Sequence, residues 1–84
     1  MKRIKDKITP RERDVIIAMM CGLTDKEIGL QLGISPRTVE AHIGNVIMKV
    51  AARNRVNMAA LVILKAMVTI TIADLQNFRG RAET

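Results

Sequence analysis

The sequence predicts an all-α domain, a bundle-like arrangement of four helices, and three observations carry that expectation. Hydroxyl residues stand at capping positions ahead of helical stretches, at Thr9, Thr24 and Ser35. Behind each cap, apolar residues recur every three or four positions. The apolar 49% of the chain is mostly aliphatic, with Phe78 its single aromatic residue, and such a core suits packed helices better than a small barrel or sandwich. Eighty-four residues make one domain with a limited core. The expected division is a basic extension over 1–7, a domain over 8–76 with a long fourth helix, and a mobile tail over 77–84.

The first helix opens at Thr9-Pro10-Arg11-Glu12. A hydroxyl cap, a proline at the first helical position and a glutamate at the third form a capping box. Ile8 stands where a hydrophobic staple would sit, Val15, Ile16 and Met19 give the inward side, and Gly22 marks the end. Thr24-Asp25-Lys26-Glu27 repeats the logic for a short second helix, with Ile28 and Leu32 inward and Gly33 as a left-handed exit. Gly29 inside this helix costs about 1 kcal/mol relative to alanine. Close approach by the following helix is the expected compensation.

The third helix starts at Ser35-Pro36 and runs to about Ala51. Val39, Ile43, Val46, Ile47 and Val50 form its inward stripe, and Arg37, Glu40, Ala41 and Gly44 share the opposite face. Asn54-Arg55 reads as the cap and start of a fourth helix reaching at least Met67. Its apolar residues fall on two stripes, one of Ala59, Val62, Ile63, Ala66 and Ile70, the other of Leu61, Leu64 and Val68. One stripe covers the core; the other calls for a partner. Thr69-Ile70-Thr71-Ile72 is β-branched and alternating, a pattern that also suits extended chain, but helix is the expectation there.

Composition narrows the function. The net charge is +6, from 14 basic and 8 acidic residues, which suits a polyanionic partner, nucleic acid or an anionic surface. The same balance also serves solubility alone. With one aromatic residue, base stacking on single strands has no platform. Cys21 is alone, so neither an intramolecular disulfide nor a cysteine-rich zinc site can form; a buried thiol is the expected reading. One His and one Cys give no basis for a metal site, and no cofactor is implied. Residues 1–7 are basic without an apolar signal core, and the apolar run over 58–73 is broken by Lys65 and shorter than the roughly 20 residues a spanning helix needs. A cytoplasmic, nucleoid-associated protein is expected, with no membrane partner.

The second helix, a Gly33-Ile34-Ser35 turn and the third helix make a helix-turn-helix, whose second helix lies in the major groove of DNA. Several further stretches stand in order around it: Ile8-Thr9-Pro10-Arg11-Glu12-Arg13-Asp14-Val15, Gly22-Leu23-Thr24-Asp25-Lys26-Glu27-Ile28, Thr38-Val39-Glu40-Ala41-His42, Asn45-Val46, Lys49-Val50 and Asn54-Arg55. Together they resemble the LuxR/FixJ/GerE-type DNA-binding domain over residues 8 to about 66. The resemblance implies a four-helix transcriptional regulator domain with the third helix as reader and the fourth as dimer interface. It places Glu40, Ala41 and Gly44 toward the groove, Arg37 at the start of the reading helix, and Thr38, His42, Lys49, Arg53 and Arg55 near the DNA backbone.

The chemistry of those residues fits in part. Arginine and lysine neutralise phosphates and threonine donates a hydrogen bond, while Glu40 accepts only from a donor such as cytosine N4. Ala41 suits a thymine methyl, and Gly44 has no side chain to read with, so indirect readout is expected to contribute. Each basic residue also has a plain reading as a solvated charge. Glu40 equally well faces solvent or pairs with Arg37 three residues away, and Asn45 braces the fold or a phosphate.

The chain departs from the family pattern at Ala51-Ala52, where a glycine commonly ends the third helix, so that helix is expected to run longer or end less sharply. No receiver or ligand-binding domain precedes the motif within these 84 residues, and the expectation is a stand-alone domain without receiver phosphorylation or autoinducer sensing. The leading function is a sequence-specific regulator in a bacterial or mobile-element system, binding double-stranded DNA as a homodimer through the fourth helix at Leu61, Leu64 and Val68. Another transcription factor or RNA polymerase are further expected partners. The alternative is an interaction module that pairs with a full-length regulator. A sigma-factor promoter-binding region shares the capped first helix, but Asn45 and Asn54-Arg55 favour the LuxR-type pattern. Paired carboxylates, a nucleophile constellation and a phosphate loop are all missing, which argues against an enzyme.

Overall fold

A computed structural model describes residues 7–65 and 67–82, the last four by backbone alone. These residues form five helices and no strand: α1 (Pro10–Met20), α2 (Asp25–Leu32), α3 (Pro36–Lys49), α4 (Arg55–Leu64) and α5 (Ile72–Ala82). The fold is all-α, as the composition and caps predicted.

The capping chemistry is realised in full. The Glu12 backbone N–H donates to Thr9 Oγ1 at 3.1 Å while Glu12 Oε1 accepts from the Thr9 N–H at 3.0 Å. Thr24 and Glu27 repeat the box at 3.1 and 2.8 Å. The Thr38 N–H donates to Ser35 Oγ at the head of α3. At α4 the Asn57 N–H donates to Asn54 Oδ1, and Asn57 Oδ1 accepts in return from the Arg53 N–H. Each arrangement satisfies backbone donors that a helix start leaves open.

Helix α1 is the centre of the packing, with α2, α3 and α5 against it. Four consecutive residues, Val15, Ile16, Ile17 and Ala18, are buried, which requires cover on every side. Val39, Ile43, Val46 and Val50 face inward from α3, with Ile47 half-buried beside them. Ile28 comes from α2, and Met58 and Val62 from α4.

Gly29 does require a close approach, but by the turn rather than by the helix after it. A Cβ at this position would stand 2.5 Å from the Ile34 carbonyl oxygen. Gly33 takes a left-handed conformation at φ 73, and the Ile34 N–H closes the turn onto the Gly29 carbonyl at 2.9 Å. The hinge angle of the helix-turn-helix therefore depends on two glycines.

Three expectations about the second half differ from what the structure shows. Helix α3 ends at Lys49 as sharply as with a glycine, because Ala51 itself adopts φ 58 and the Ala52 N–H reaches back to the Ile47 carbonyl. The fourth helix stops at Leu64, short of Met67. Residues 68–71 are neither helix nor strand, and Val68 turns into the core at 3% exposure. Thr71 and Asp74 form a further reciprocal cap at 3.0 and 3.1 Å, which starts α5. Residues 77–82 thus belong to a helix that packs on α1, with Phe78 against the core, instead of a separate tail. The extension over 1–6 lies outside the described residues, as do Ala66, Glu83 and Thr84.

Candidate nucleic-acid interface

Ser35 and Pro36 start α3 beside the Gly33 turn, and the Val39–Ile43–Val46–Val50 stripe holds its inner face against α1 and α2. What remains outward follows from helical spacing: Arg37, Glu40, Ala41, Gly44, Asn45 and Met48 lie on the side opposite the buried stripe. All are exposed except Gly44, which is half-exposed with open space where a Cβ would stand. Helix α3 is about 21 Å long, enough to cross a major groove about 12 Å wide. Met48, 78% exposed at the far end of this face, is a position the sequence reading missed. It stands four residues after Gly44 and eleven after Arg37, so the spacing alone could have found it.

The five residues expected at the DNA backbone do not share one environment. Thr38 is exposed, its Oγ1 3.0 Å from Ser35 Oγ. Arg53 is exposed, and among the described residues no carboxylate pairs with it or with Arg37. His42 is half-buried, its Nδ1 shielded and without a protein partner among the described residues.

Lys49 and Arg55 are engaged inside the protein. Lys49 Nζ donates to Glu12 Oε1 at 2.7 Å and to the Lys7 carbonyl at 2.9 Å. Glu12 is the one buried charged residue among those described. Burial opposes ionisation of its carboxyl, but the bond from Lys49 and the Thr9 N–H outweigh it and hold its pKa below the usual range. Arg55 grips Asp25 with both arms, Nη1 to Oδ1 at 2.8 Å and Nη2 to Oδ2 at 2.7 Å. This bidentate bond lowers the Asp25 pKa and raises that of Arg55, and Glu40 adds a weaker stabilisation of the guanidinium from a distance. The two cations thus tie the end of α3 to the start of α1, and the start of α4 to the start of α2.

The residues expected at a dimer surface also separate. Leu64 is 79% exposed, Leu61 is half-buried against the core, and Val68 is buried because the chain leaves the helix before reaching it. The outward apolar stripe of α4 is instead Val56, Ala60, Ile63 and Leu64, opposite Met58 and Val62. Met58 and Val62, fully buried, set the rotation of α4 that turns this stripe out, and the Arg55–Asp25 bond ties its first turn to α2. Beside it, a groove of about 340 Å³ between α1 and α4 is lined by Met19, Met20, Arg55, Val56 and Ala59. Cys21, half-buried, has its thiol pKa raised by burial and, less strongly, by Asp74. No helix among the described residues is long and apolar enough to cross a membrane, and none of these residues forms a group of three or more potential metal ligands.

Comparison with known proteins gives the family. A family model described as bacterial regulatory proteins, luxR family, matches residues 6–62, which contain the whole helix-turn-helix and most of α4. The chain is 47% identical over 47 residues to the transcriptional regulatory protein FixJ of Rhizobium meliloti, covering 56% of this chain and 23% of that protein. It is 40% identical over 55 residues to the transcriptional regulatory protein UhpA of Salmonella typhimurium, covering 66% and 28%. Similarity to the transcriptional activator protein SolR of Ralstonia solanacearum is 44% over 62 residues, covering 74% and 25%. The chain therefore spans about a quarter of the length of these relatives. No solved structure matches significantly.

Proposed function

Because this chain belongs to the luxR family of bacterial regulatory proteins, we propose that it is a transcriptional regulator that binds duplex DNA sequence-specifically with α3 in the major groove. The observation that carries the reading is the outward face of α3. It is exposed along its length while its inner face and both ends are fixed by the core, the Ser35 cap and the Lys49–Glu12 pair. A rigidly held helix with an open, small-residue centre can enter a groove without rearrangement. Arg37, Thr38 and Arg53 supply backbone contacts on a chain of charge +6. The protein works on the nucleoid, in the cytoplasm.

A homodimer through the outward stripe of α4 completes this reading. One short helix in a groove gives limited affinity, and two linked half-sites multiply it. Val56, Ala60, Ile63 and Leu64 offer the surface. The same stripe also favours a second reading, in which this chain pairs with a full-length regulator and modulates it.

Selection of bound sites from a random duplex pool, followed by titration at two salt concentrations, tests both. A recovered motif with half-sites about one helical turn apart, and affinity that falls steeply with salt, is the expected result. Absence of DNA binding at low salt would remove the regulator reading and leave the pairing module.

A further inference from the structure

Half of the net charge stands in the first seven residues. Lys2, Arg3, Lys5 and Lys7 against Asp6 make +3 there, of +6 in all. The structure fixes where this segment joins the fold. The Lys7 carbonyl accepts from Lys49 Nζ at 2.9 Å, and the same ammonium donates to Glu12 Oε1 at 2.7 Å. Ile8 packs against the core and Thr9 caps α1, so the junction is held at three successive residues. Residues 1–6 therefore join the fold beside the last turn of α3.

That end of the reading helix is where a polyanion comes within reach. Asn45 and Met48, both on the outward face, line with Glu12 and Lys49 a hollow of about 380 Å³, so the junction and the reading face share an edge. A helix about 21 Å long, laid across a groove about 12 Å wide, brings both of its ends over the sugar–phosphate strands. At the near end Arg37 and Thr38 are exposed. At the far end the Lys49 ammonium is bonded inward, and Arg53 is the exposed cation past the turn. Six residues of chain ahead of Lys7 reach at most about 20 Å, enough to meet the strand beside that end. Among residues 2–7 only Ile4 is apolar, so the segment has no apolar face to bury in a lipid surface.

We propose that residues 1–7 are a second, sequence-independent DNA-binding segment, in which Lys2, Arg3 and Lys5 neutralise phosphates flanking the half-site at the far end of α3. The proposal rests on the DNA-binding reading above and adds a contact outside the helix-turn-helix. Because the junction is fixed, the charges are delivered to one side of each half-site. They raise affinity without choosing a base.

The test neutralises Lys2, Arg3 and Lys5 together, each to glutamine, in the otherwise unchanged chain. Lys65→Gln, at an exposed cation past α4, is the control. The slope of log affinity against log salt should fall by about 2.7 in the triple variant, at about 0.9 for each phosphate contact, and should stay as in wild type in the control. Base preference selected from a random duplex pool and the unfolding midpoint should match wild type. Ethylation of phosphates flanking the half-site should interfere with wild-type binding, and this interference should disappear in the triple variant. An unchanged slope would overturn the proposal while leaving the regulator reading intact. A reduced slope with the same flanking interference would also overturn it, since the charges would then act only through the overall field. Wild type that binds no duplex at low salt would remove both.

Discussion

Lys49 Nζ and Glu12 Oε1 stand 2.7 Å apart, across 37 residues of chain, and join the last turn of α3 to the first turn of α1. Side-chain exposure is 20% for the lysine and 6% for the glutamate. A pair so shielded braces the far end of the reading helix, and two of the three ammonium donors are taken up inside the protein.

Lys49→Met should therefore lower stability by about 3 kcal/mol, the scale for stranding one member of a shielded pair. It should leave the dependence of DNA affinity on salt nearly unchanged. Arg53→Ala should do the opposite, sparing the fold and reducing the slope of log affinity against log salt by about 0.9. Chemical denaturation and anisotropy titrations at three salt concentrations separate the two. Equal loss of slope in both variants would return Lys49 to the phosphate-binding set.

Acid should expose the same tie. The Glu12 pKa is lowered because Lys49 and the Thr9 N–H outweigh its burial, and that of Asp25 is lowered by its bond to Arg55. A carboxylate depressed in the folded state adds stability that is present above its unfolded pKa and is lost as pH falls through the folded one. Stability should hold across neutral pH and decline from the ordinary carboxylate range downward. The decline should be shallower in Glu12→Gln, which has no proton to take up at that site. Unfolding midpoints measured from pH 7 to pH 2 give the comparison; identical slopes in the two proteins would remove Glu12 as a source.

Ala51 marks the one non-glycine residue at positive φ among those described. A Cβ in the left-handed region costs about 1 to 2 kcal/mol, partly offset in a glycine variant by a freer unfolded chain. Ala51→Gly should stabilise the protein by about 0.5 to 1 kcal/mol without altering DNA affinity, because the residue is exposed and ends α3 behind its reading face. A destabilised variant in thermal denaturation would show that the turn is not strained.

Two glycines in the motif should respond to alanine in opposite directions. At Gly29 the new methyl meets the Ile34 carbonyl at 2.5 Å, a backbone atom that cannot swing away, so Gly29→Ala should destabilise by about 1 to 3 kcal/mol. At Gly44 nothing lies within reach, so Gly44→Ala should stabilise by about 1 kcal/mol through helix propensity. The same methyl would stand between α3 and the floor of a groove, and DNA affinity should fall several-fold as the fold gains. Calorimetry with binding on the same samples tests this; a Gly44→Ala protein that is more stable and binds as well would place the DNA elsewhere than against this face.

The helix starts were legible because capping is local chemistry: Thr9, Thr24, Ser35 and Asn54 meet partners three residues away. Thr71-Ile72-Ala73-Asp74 carries the same signature, but the β-branched alternation around it obscured the start of α5. What the sequence could not convey was long-range pairing. Nothing near Lys49 or Arg55 reveals that Glu12 and Asp25, 37 and 30 residues away, take up their charge, so both read as phosphate contacts. The rotation of α4 was obscured for the same reason. A helix apolar on two sides gives no internal sign of which side packs, and the burial of Met58 and Val62 in the core decides it.

That rotation yields the last prediction. If two copies meet through α4, the contact uses Val56, Ala60, Ile63 and Leu64, and substitutions on the helix should divide by exposure. Leu64→Asp changes a side chain 79% exposed, so the fold should survive while self-association and operator affinity both fall. Leu61→Asp places a charge against the core and should destabilise the monomer first, as should Val68→Asp at a buried position. Sedimentation at micromolar protein, with and without a duplex carrying two half-sites, reads assembly separately from folding. A wild type that stays monomeric on that duplex, with Leu64→Asp binding equally well, would leave the α4 stripe to a different partner.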